Sequence, residues 1–151
     1  MQAEASVEIN RPIEDVFDFT NEHVPEWSIT VVEDSIIEET PDRVGTTFRC
    51  LTQSQGKEME FQGVVTRWER PHVSASELVG ESFDIEVAYF FEKTTEGTRV
   101  TQKSIVSPKS FLKVFFFLFG WMMGKSSCDA ASNELENLKR ILEGGETSEN
   151  E

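Results

Sequence analysis

Hydrophobic and polar residues alternate along most of this chain, and a two-residue alternation is typical of β-strands with one buried face. The first such segment is residues 3–10, where Ala5, Val7 and Ile9 share one side. Further segments, bounded by turn residues such as glycine, proline and aspartate, are predicted as strands at 30–39, 46–53, 57–69, 72–79, 83–93 and 98–107. Because only short turns separate these later strands, they predict an antiparallel meander.

Two short helices are predicted between the first strand and the meander. Pro12 fits a first helical turn, where its missing N–H removes no hydrogen bond, and Ile13, Val16 and Phe17 form an apolar stripe behind it. A second helical turn is predicted at residues 23–27. No other helix is predicted before residue 108.

A long helix is predicted at the C-terminus, beginning near Ser110 and ending at Gly144–Gly145, because glycine commonly follows the last turn of a helix. Apolar or small residues recur at helical spacing along one stripe of it: Val114, Phe117, Trp121, Gly124, Cys128, Ala131, Leu135, Leu138 and Leu142. Residues 111–123 are apolar nearly all round, but a membrane-spanning helix needs about 20 such residues. We therefore expect this helix to cover the sheet. After a single domain of residues 1–145, residues 146–151 are predicted to form a disordered acidic tail.

The predicted order of elements is a strand, two short helices, a six-stranded antiparallel meander and a long C-terminal helix, which is an α+β arrangement. Along it the chain carries SVEINRPIEDVFDF (6–19), Trp27, the turn Arg43–Val44–Gly45, FQGVVTRWERP (61–71), EGTRVT (96–101) and LENLKRILE (135–143). This ordered set of motifs resembles the helix-grip, or SRPBCC/START-like, superfamily, and it is most similar to the polyketide cyclase/dehydrase-like branch. The resemblance implies a curved sheet that grips the long helix, with a ligand held in a cavity between the two.

Composition and charge exclude some classes of function. The chain has 151 residues, which suits one domain, and a formal net charge of -14, which opposes binding to nucleic acids and to anionic lipid head groups. Its two cysteines, Cys50 and Cys128, form no CxxC motif, and the first residues show no secretory signal. We therefore expect a cytoplasmic protein without a membrane span.

Aromatic side chains at inward positions of the predicted sheet and helix indicate a site for a small hydrophobic molecule, such as a lipid, a quinone or a polyketide-like compound. Facing them, the helix stripe carries small residues, which either interdigitate with the aromatic rings or leave a void. The candidate ligand-binding residues, with Tyr89, Gln102 and Ser104 as polar anchors, are Trp27, Phe48, Phe61, Phe83, Tyr89, Phe91, Gln102, Ser104, Phe117, Trp121, Gly124 and Cys128. The same aromatic residues also suit a filled core, so ligand binding and plain packing are both open at this point.

The sequence contains few residues in patterns typical of a catalytic site. The two histidines, His23 and His72, lack the spacing of metal ligands, and no nucleophile, phosphate-binding or dinucleotide motif occurs. No catalytic residue, metal or cofactor is therefore predicted. A cyclase or dehydrase would need an acid–base pair in the pocket, and Tyr89 with Glu77 or His72 is the first candidate.

The first half of the long helix carries more apolar surface than one sheet can cover. Phe115, Phe119 and Met122 lie roughly opposite the core stripe. We expect a homodimer through these residues, with burial against the short N-terminal helices or a mobile lip around the ligand as alternatives. The same patch also suits a protein-interaction module, as in the Hsp90-activator branch of the superfamily.

Overall fold

The computed structural model describes residues 2–54, 56–81, 83–108 and 124–149. The described residues form the strands β1 (Gln2–Ile9), β2 (Val31–Glu38), β3 (Thr47–Ser54), β4 (Lys57–Glu69), β5 (Val73–Gly80), β6 (Phe83–Lys93) and β7 (Thr98–Pro108). They also form the helices α1 (Ile13–Glu22), α2 (Val24–Trp27) and α3 (Gly124–Glu149). Within these ranges, no helix has the length and apolar character needed to cross a membrane.

The strands form one curved antiparallel sheet in the order β1-β7-β6-β5-β4-β3-β2. Strands β2 to β7 follow one another as a meander, and β1 returns to pair with β7. Helices α1 and α2 therefore connect the two opposite edges of the sheet. This is the predicted α+β helix-grip arrangement, and each strand lies within one residue of its predicted bounds.

Two separate apolar cores lie on the inner face of the sheet. The first, which we call the helix-side core, joins the sheet to the three helices through Val7, Ile9, Ile13, Val16, Phe17, Trp27, Phe91, Val100, Leu135, Leu138 and Leu142. The second, which we call the strand core, is built on buried Cys50, Phe61 and Phe83 with partly buried Val31, Phe48, Met59, Leu78, Ile85 and Val106 around them. In the described ranges the inner face is packed at these two places, and neither core covers the surface between them.

Helix α3 packs against β1 and β7 and touches α2. Near its end, Asn10 N donates a hydrogen bond to Glu143 Oε2 at 2.7 Å, and Arg11 Nη1 donates one to the Leu142 carbonyl oxygen at 3.1 Å. The predicted beginning at Ser110 lies outside the described residues.

The predicted helix end at Gly144–Gly145 is wrong, because α3 continues to Glu149 and residues 146–149 of the predicted tail are helical in the backbone. Glycine lowers helix stability by about 1 kcal/mol relative to alanine, but it does not by itself end a helix. The extent of the single domain, predicted as residues 1–145, stays a prediction.

Three register shifts change which side chains face inward. They lie between Val31 and Glu33, between Ile36 and Glu38, and between Val65 and Arg67. Each inserts an extra residue, so the strict alternation of faces is broken there. The first shift turns Asp34 inward, directly opposite Cys50, and the third turns Trp68 inward, opposite Ser74.

Candidate functional site

A row of small side chains crosses the inner face between the two cores. In register, Ser76 of β5 lies opposite Val87 of β6, Val87 opposite Ser104 of β7, and Ser104 opposite Ala3 of β1. We call these four residues the central row. None of them belongs to either core, and each keeps intermediate exposure although β5, β6 and β7 lie inside the sheet. Because packed interiors leave few voids, small accessible side chains at inward positions indicate that the described residues leave a space above this row.

A row with polar side chains borders this space on the side of the helix-side core. Tyr89 lies directly opposite Ser74 on one neighbouring strand and opposite Gln102 on the other. Ser74 Oγ and Gln102 Oε1 are buried without a hydrogen-bond partner in the described part of the chain. Buried polar atoms are normally paired, so two unpaired atoms flanking one phenol mark a place where a ligand or water completes the hydrogen bonds.

The phenol of Tyr89 sits in an environment that disfavours its ionised form. Burial raises its pKa most, followed by the Glu134 carboxylate and the Cys50 thiol. The Tyr89 ring also contacts Trp27 edge-on, with ring centroids 6.2 Å apart. Tyr89 is therefore a neutral hydrogen-bonding group at the border of the helix-side core.

Because Tyr89 is the one tyrosine of the chain, its titration can be followed directly. We expect the phenolate absorbance of the folded protein to stay flat through pH 10, the ordinary pKa, and to rise only well above it. In the same protein unfolded in urea, Tyr89 should titrate near its ordinary pKa of 10. Circular dichroism at each pH would show whether the fold persists, and a folded-state transition at or below pH 10 would contradict this burial.

Glu134 fastens α3 to the segment that leads into β2. Its carboxylate accepts hydrogen bonds from Ser28 Oγ at 3.1 Å, Thr30 Oγ1 at 3.0 Å and Ile29 N at 2.9 Å. One turn further along α3, Asn137 Nδ2 donates to the Trp27 carbonyl oxygen at 2.6 Å. These bonds close one end of the space between sheet and helix.

Asp34 places a carboxyl group on the inner face beside the strand core. It lies opposite Cys50 across the β2–β3 pair, and burial raises its pKa to about 6. Burial, and next the charge of Asp34, raise the pKa of the Cys50 thiol to about 12. Cys50 is therefore a neutral thiol, whereas Asp34 changes its charge near neutral pH.

The substitution Asp34→Asn should stabilise the protein at neutral pH. A carboxyl whose folded-state pKa is raised holds its proton more tightly when folded, so wild-type stability falls as pH rises from about 4 to about 6. We expect Asp34→Asn to increase the free energy of unfolding by about 1 kcal/mol near pH 7.5, a value reduced for the partial exposure of the carboxyl.

Urea unfolding near pH 7.5 and near pH 4 measures this difference, which should vanish at the lower pH. Glu38→Gln, on the exposed end of the same strand, is the matched control because it removes the same charge. A variant Asp34→Asn that is less stable than the wild type near pH 7.5 would show that the carboxylate is stabilised, not penalised.

The structure separates the predicted site residues from one another. Trp27 and Phe91 lie in the helix-side core, and Phe48, Phe61 and Phe83 lie in the strand core. Tyr89, Gln102 and Ser104 lie in the central row or the neighbouring polar row. Phe117 and Trp121 lie outside the described residues. Gly124 and Cys128 lie in the first turns of α3, but what they face is outside the described part.

The predicted acid–base pair of Tyr89 with Glu77 or His72 is wrong. Glu77 is exposed and lies on the outer face opposite Glu86, because it alternates with inward Ser76 and Leu78. His72 is exposed in the turn that precedes β5. Neither side chain shares the inner face with Tyr89.

Sequence reasoning missed Ala3, Ser76 and Val87 of the central row. It also missed three polar residues around that row. Asp34 is hidden by the register shift in β2, because simple alternation from Val31 would turn it outward. Ser74 could have been found from its alternation with Ser76 and Leu78, once the register with β6 was known. Glu134 lies beside the apolar stripe of α3 and carries no sequence signal for its hydrogen bonds.

A family model described as polyketide cyclase / dehydrase and lipid transport matches residues 1–143. A search of curated proteins gives no significant match. The match to the family model covers the sheet and the described part of α3 up to its last turns.

Solved structures of low sequence identity share the fold. A protein from Thermus thermophilus gives a TM-score of 0.77 at 18% identity, over 95% of this chain and 99% of that one. A START superfamily protein from Mycobacterium smegmatis gives 0.71 at 18% identity, over 95% and 94% of the two chains. The di-domain ARO/CYC StfQ from the steffimycin biosynthetic pathway gives 0.70 at 14% identity, over 97% of this chain and 52% of its own. These similarities confirm the helix-grip fold.

Proposed function

This chain belongs to the polyketide cyclase/dehydrase and lipid transport family, and we propose that it binds or transports a small hydrophobic molecule between the curved sheet and α3. A lipid, a quinone or a polyketide-like compound would suit such a site. The observation that carries the proposal is the central row, where small inward side chains keep intermediate exposure between two packed cores.

The surroundings of the central row have the composition of a ligand site. Ligand pockets are mostly apolar and carry a few polar groups that fix orientation. Here the strand core supplies apolar Leu78, Ile85 and Val106, while Tyr89, Gln102 and Ser74 supply the polar groups. The aromatic side chains of the two cores, Trp27, Phe48, Phe61, Phe83 and Phe91, would act as rigid walls on both sides.

Fluorescence of N-phenylnaphthylamine, a neutral dye that brightens in apolar surroundings, tests the proposal. We expect saturable binding of the dye by the wild-type protein and loss of most of that binding in the variant Ser104→Trp. The indole would fill the space above the central row, because Ser104 faces small Ala3 on one side and Val87 on the other.

Lys103→Trp is the matched control, since Lys103 is exposed on the outer face of the same strand. It adds the same indole where it cannot reach the inner face, so dye binding should be unchanged. Equal binding by the two variants, or no saturable binding by the folded wild type, would reject the proposed site.

The other partner and location predictions stay predictions. The homodimer contacts Phe115, Phe119 and Met122 lie outside the described residues, as does the surface for a protein-interaction module. A cytoplasmic location agrees with the free, buried thiol of Cys50.

A further inference from the structure

We propose that Asp34 is the polar anchor of the ligand site and that its ligand is an apolar molecule with a positively charged, hydrogen-bond-donating end, such as an alkyl or aryl amine. This inference rests on the proposed function, since it concerns the same space between sheet and helix. It narrows that function from hydrophobic molecules in general to one class of head group.

The carboxyl group of Asp34 lies on the inner face of the sheet. Asp34 turns inward opposite Cys50, and Cys50 lies opposite Phe61 of the strand core. The strand core borders the central row, because Ile85 and Val106 lie two positions from Val87 and Ser104 on the same strands. Asp34 therefore faces the same interior as Tyr89 and the central row.

Among the described residues, Asp34 has no counter-charge. It forms no hydrogen bond or ion pair with a described side chain, whereas Glu33 on the outer face pairs with Arg49 at 3.0 Å. Burial raises the pKa of Asp34, and no cation in the described ranges lowers it. Acidic side chains in partly buried places are ordinarily paired, so an unpaired one is free to meet a ligand.

The other unpaired atoms of the interior point to the same ligand chemistry. In the described part of the chain, Gln102 Oε1 is an acceptor without a donor, and the Ser74 hydroxyl is free to accept or to donate a hydrogen bond. Glu134 adds a second carboxylate near Tyr89, although its hydrogen bonds are already supplied by the segment at residues 28–30. A site with these groups favours a donor and a cation, and it opposes an anionic head group such as a carboxylate.

Displacement of N-phenylnaphthylamine by three ligands with one chain length tests the head-group preference. The ligands are octylamine, octanol and octanesulfonate, which differ only at the polar end. Near pH 8 we expect the wild type to bind octylamine about tenfold more tightly than octanesulfonate, with octanol between them. Asp34→Asn should bring the three affinities to within about threefold of one another.

Glu38→Gln controls for the acidic surface, which attracts amines without any site. It removes one negative charge from the exposed end of β2 and should leave the preference of the wild type unchanged. Asp34→Asn keeps the rest of the surface charge, so a preference that persists in this variant comes from the surface and overturns the proposal.

The pH dependence of the head-group preference is an independent test of the role of Asp34. Among the described residues, the titratable group opposite Asp34 is Cys50 on β3, and its raised pKa keeps it neutral, as the raised pKa of Tyr89 on β6 keeps that phenol neutral. Between about pH 8 and pH 5 octylamine stays cationic while Asp34 gains a proton, so the preference of the wild type should shrink toward that of Asp34→Asn.

The outcomes separate the two proposals. If octanol displaces the dye but the head groups bind equally to the wild type, the anchor is rejected and the hydrophobic site stands. If octanesulfonate binds more tightly than octylamine, the site prefers a negatively charged head group, and the role of Asp34 as anchor is again rejected. If the dye does not bind the folded wild type at all, the hydrophobic site fails and the anchor fails with it.

Discussion

Leu138→Ala is expected to lower the free energy of unfolding by about 3 kcal/mol, the range found for leucine removed from a packed core. Leu138 has 0% exposure at the middle of α3 and packs with Leu135 and Leu142 into the helix-side core. Removing its side chain leaves a cavity beneath the helix, because the sheet on the opposite side is held by strand pairing and cannot collapse into it. Urea unfolding followed by circular dichroism measures the change.

Ile37→Ala is the matched control for this prediction. Ile37 lies on edge strand β2 with 59% exposure, so removing its side chain leaves no cavity and should change stability by less than about 0.5 kcal/mol. A loss below about 1 kcal/mol for Leu138→Ala would mean that α3 contributes little to the core. The space between α3 and the sheet would then lack a fixed wall.

The strands could be predicted because two independent signals agree in them. Residues 83–93 alternate from Phe83 to Phe91, and turn residues follow at 94–97. Alternation fixes the type of element and turn chemistry fixes its ends, so β4 and β6 have the predicted bounds at both ends. The order of these elements also carried the superfamily resemblance, which the family model confirms.

The inward face could be predicted only as far as the alternation is unbroken. In β2 the extra residue at the register shift is Val32, and a valine fits either face, so the sequence does not show that Asp34 turns inward. The carboxyl group of Asp34 could therefore not be placed on the inner face before the pairing with β3 was known. The shift in β4 hides Trp68 in the same way.

The role of each aromatic residue depends on its cross-strand neighbours, which a single sequence does not supply. Phe61 and Tyr89 both lie at inward positions, yet Phe61 covers Gly80 inside the strand core while Tyr89 stands between two unpaired polar atoms. Sequence periodicity predicts only that both side chains face inward. Register separates packing from a candidate site, because it decides which small or polar side chain lies opposite each ring.

Gly63→Ala should lower the free energy of unfolding by about 2 kcal/mol, which is typical of overpacking in a core. Gly63 lies opposite Phe48 on β3, and a methyl group added there would lie well inside van der Waals contact with the Phe48 ring. The ring would have to leave its place over the glycine, and the strand core would be repacked at that point. Urea unfolding measures the loss, with Gly144→Ala as the control, because Gly144 has open space at this position and alanine favours a helix.

Phe48→Leu identifies the ring as the cause. In the Phe48→Leu background the added methyl group meets a smaller side chain, so Gly63→Ala should cost at least about 1 kcal/mol less than in the wild type. An equal loss of stability in both backgrounds would show that the strain lies in the backbone of β4.

A displaced Phe48 ring would also turn toward the interior, so Gly63→Ala should weaken binding of N-phenylnaphthylamine, and Phe48→Leu should restore it. Restoration of stability without restoration of dye binding would separate the packing of the strand core from the ligand site.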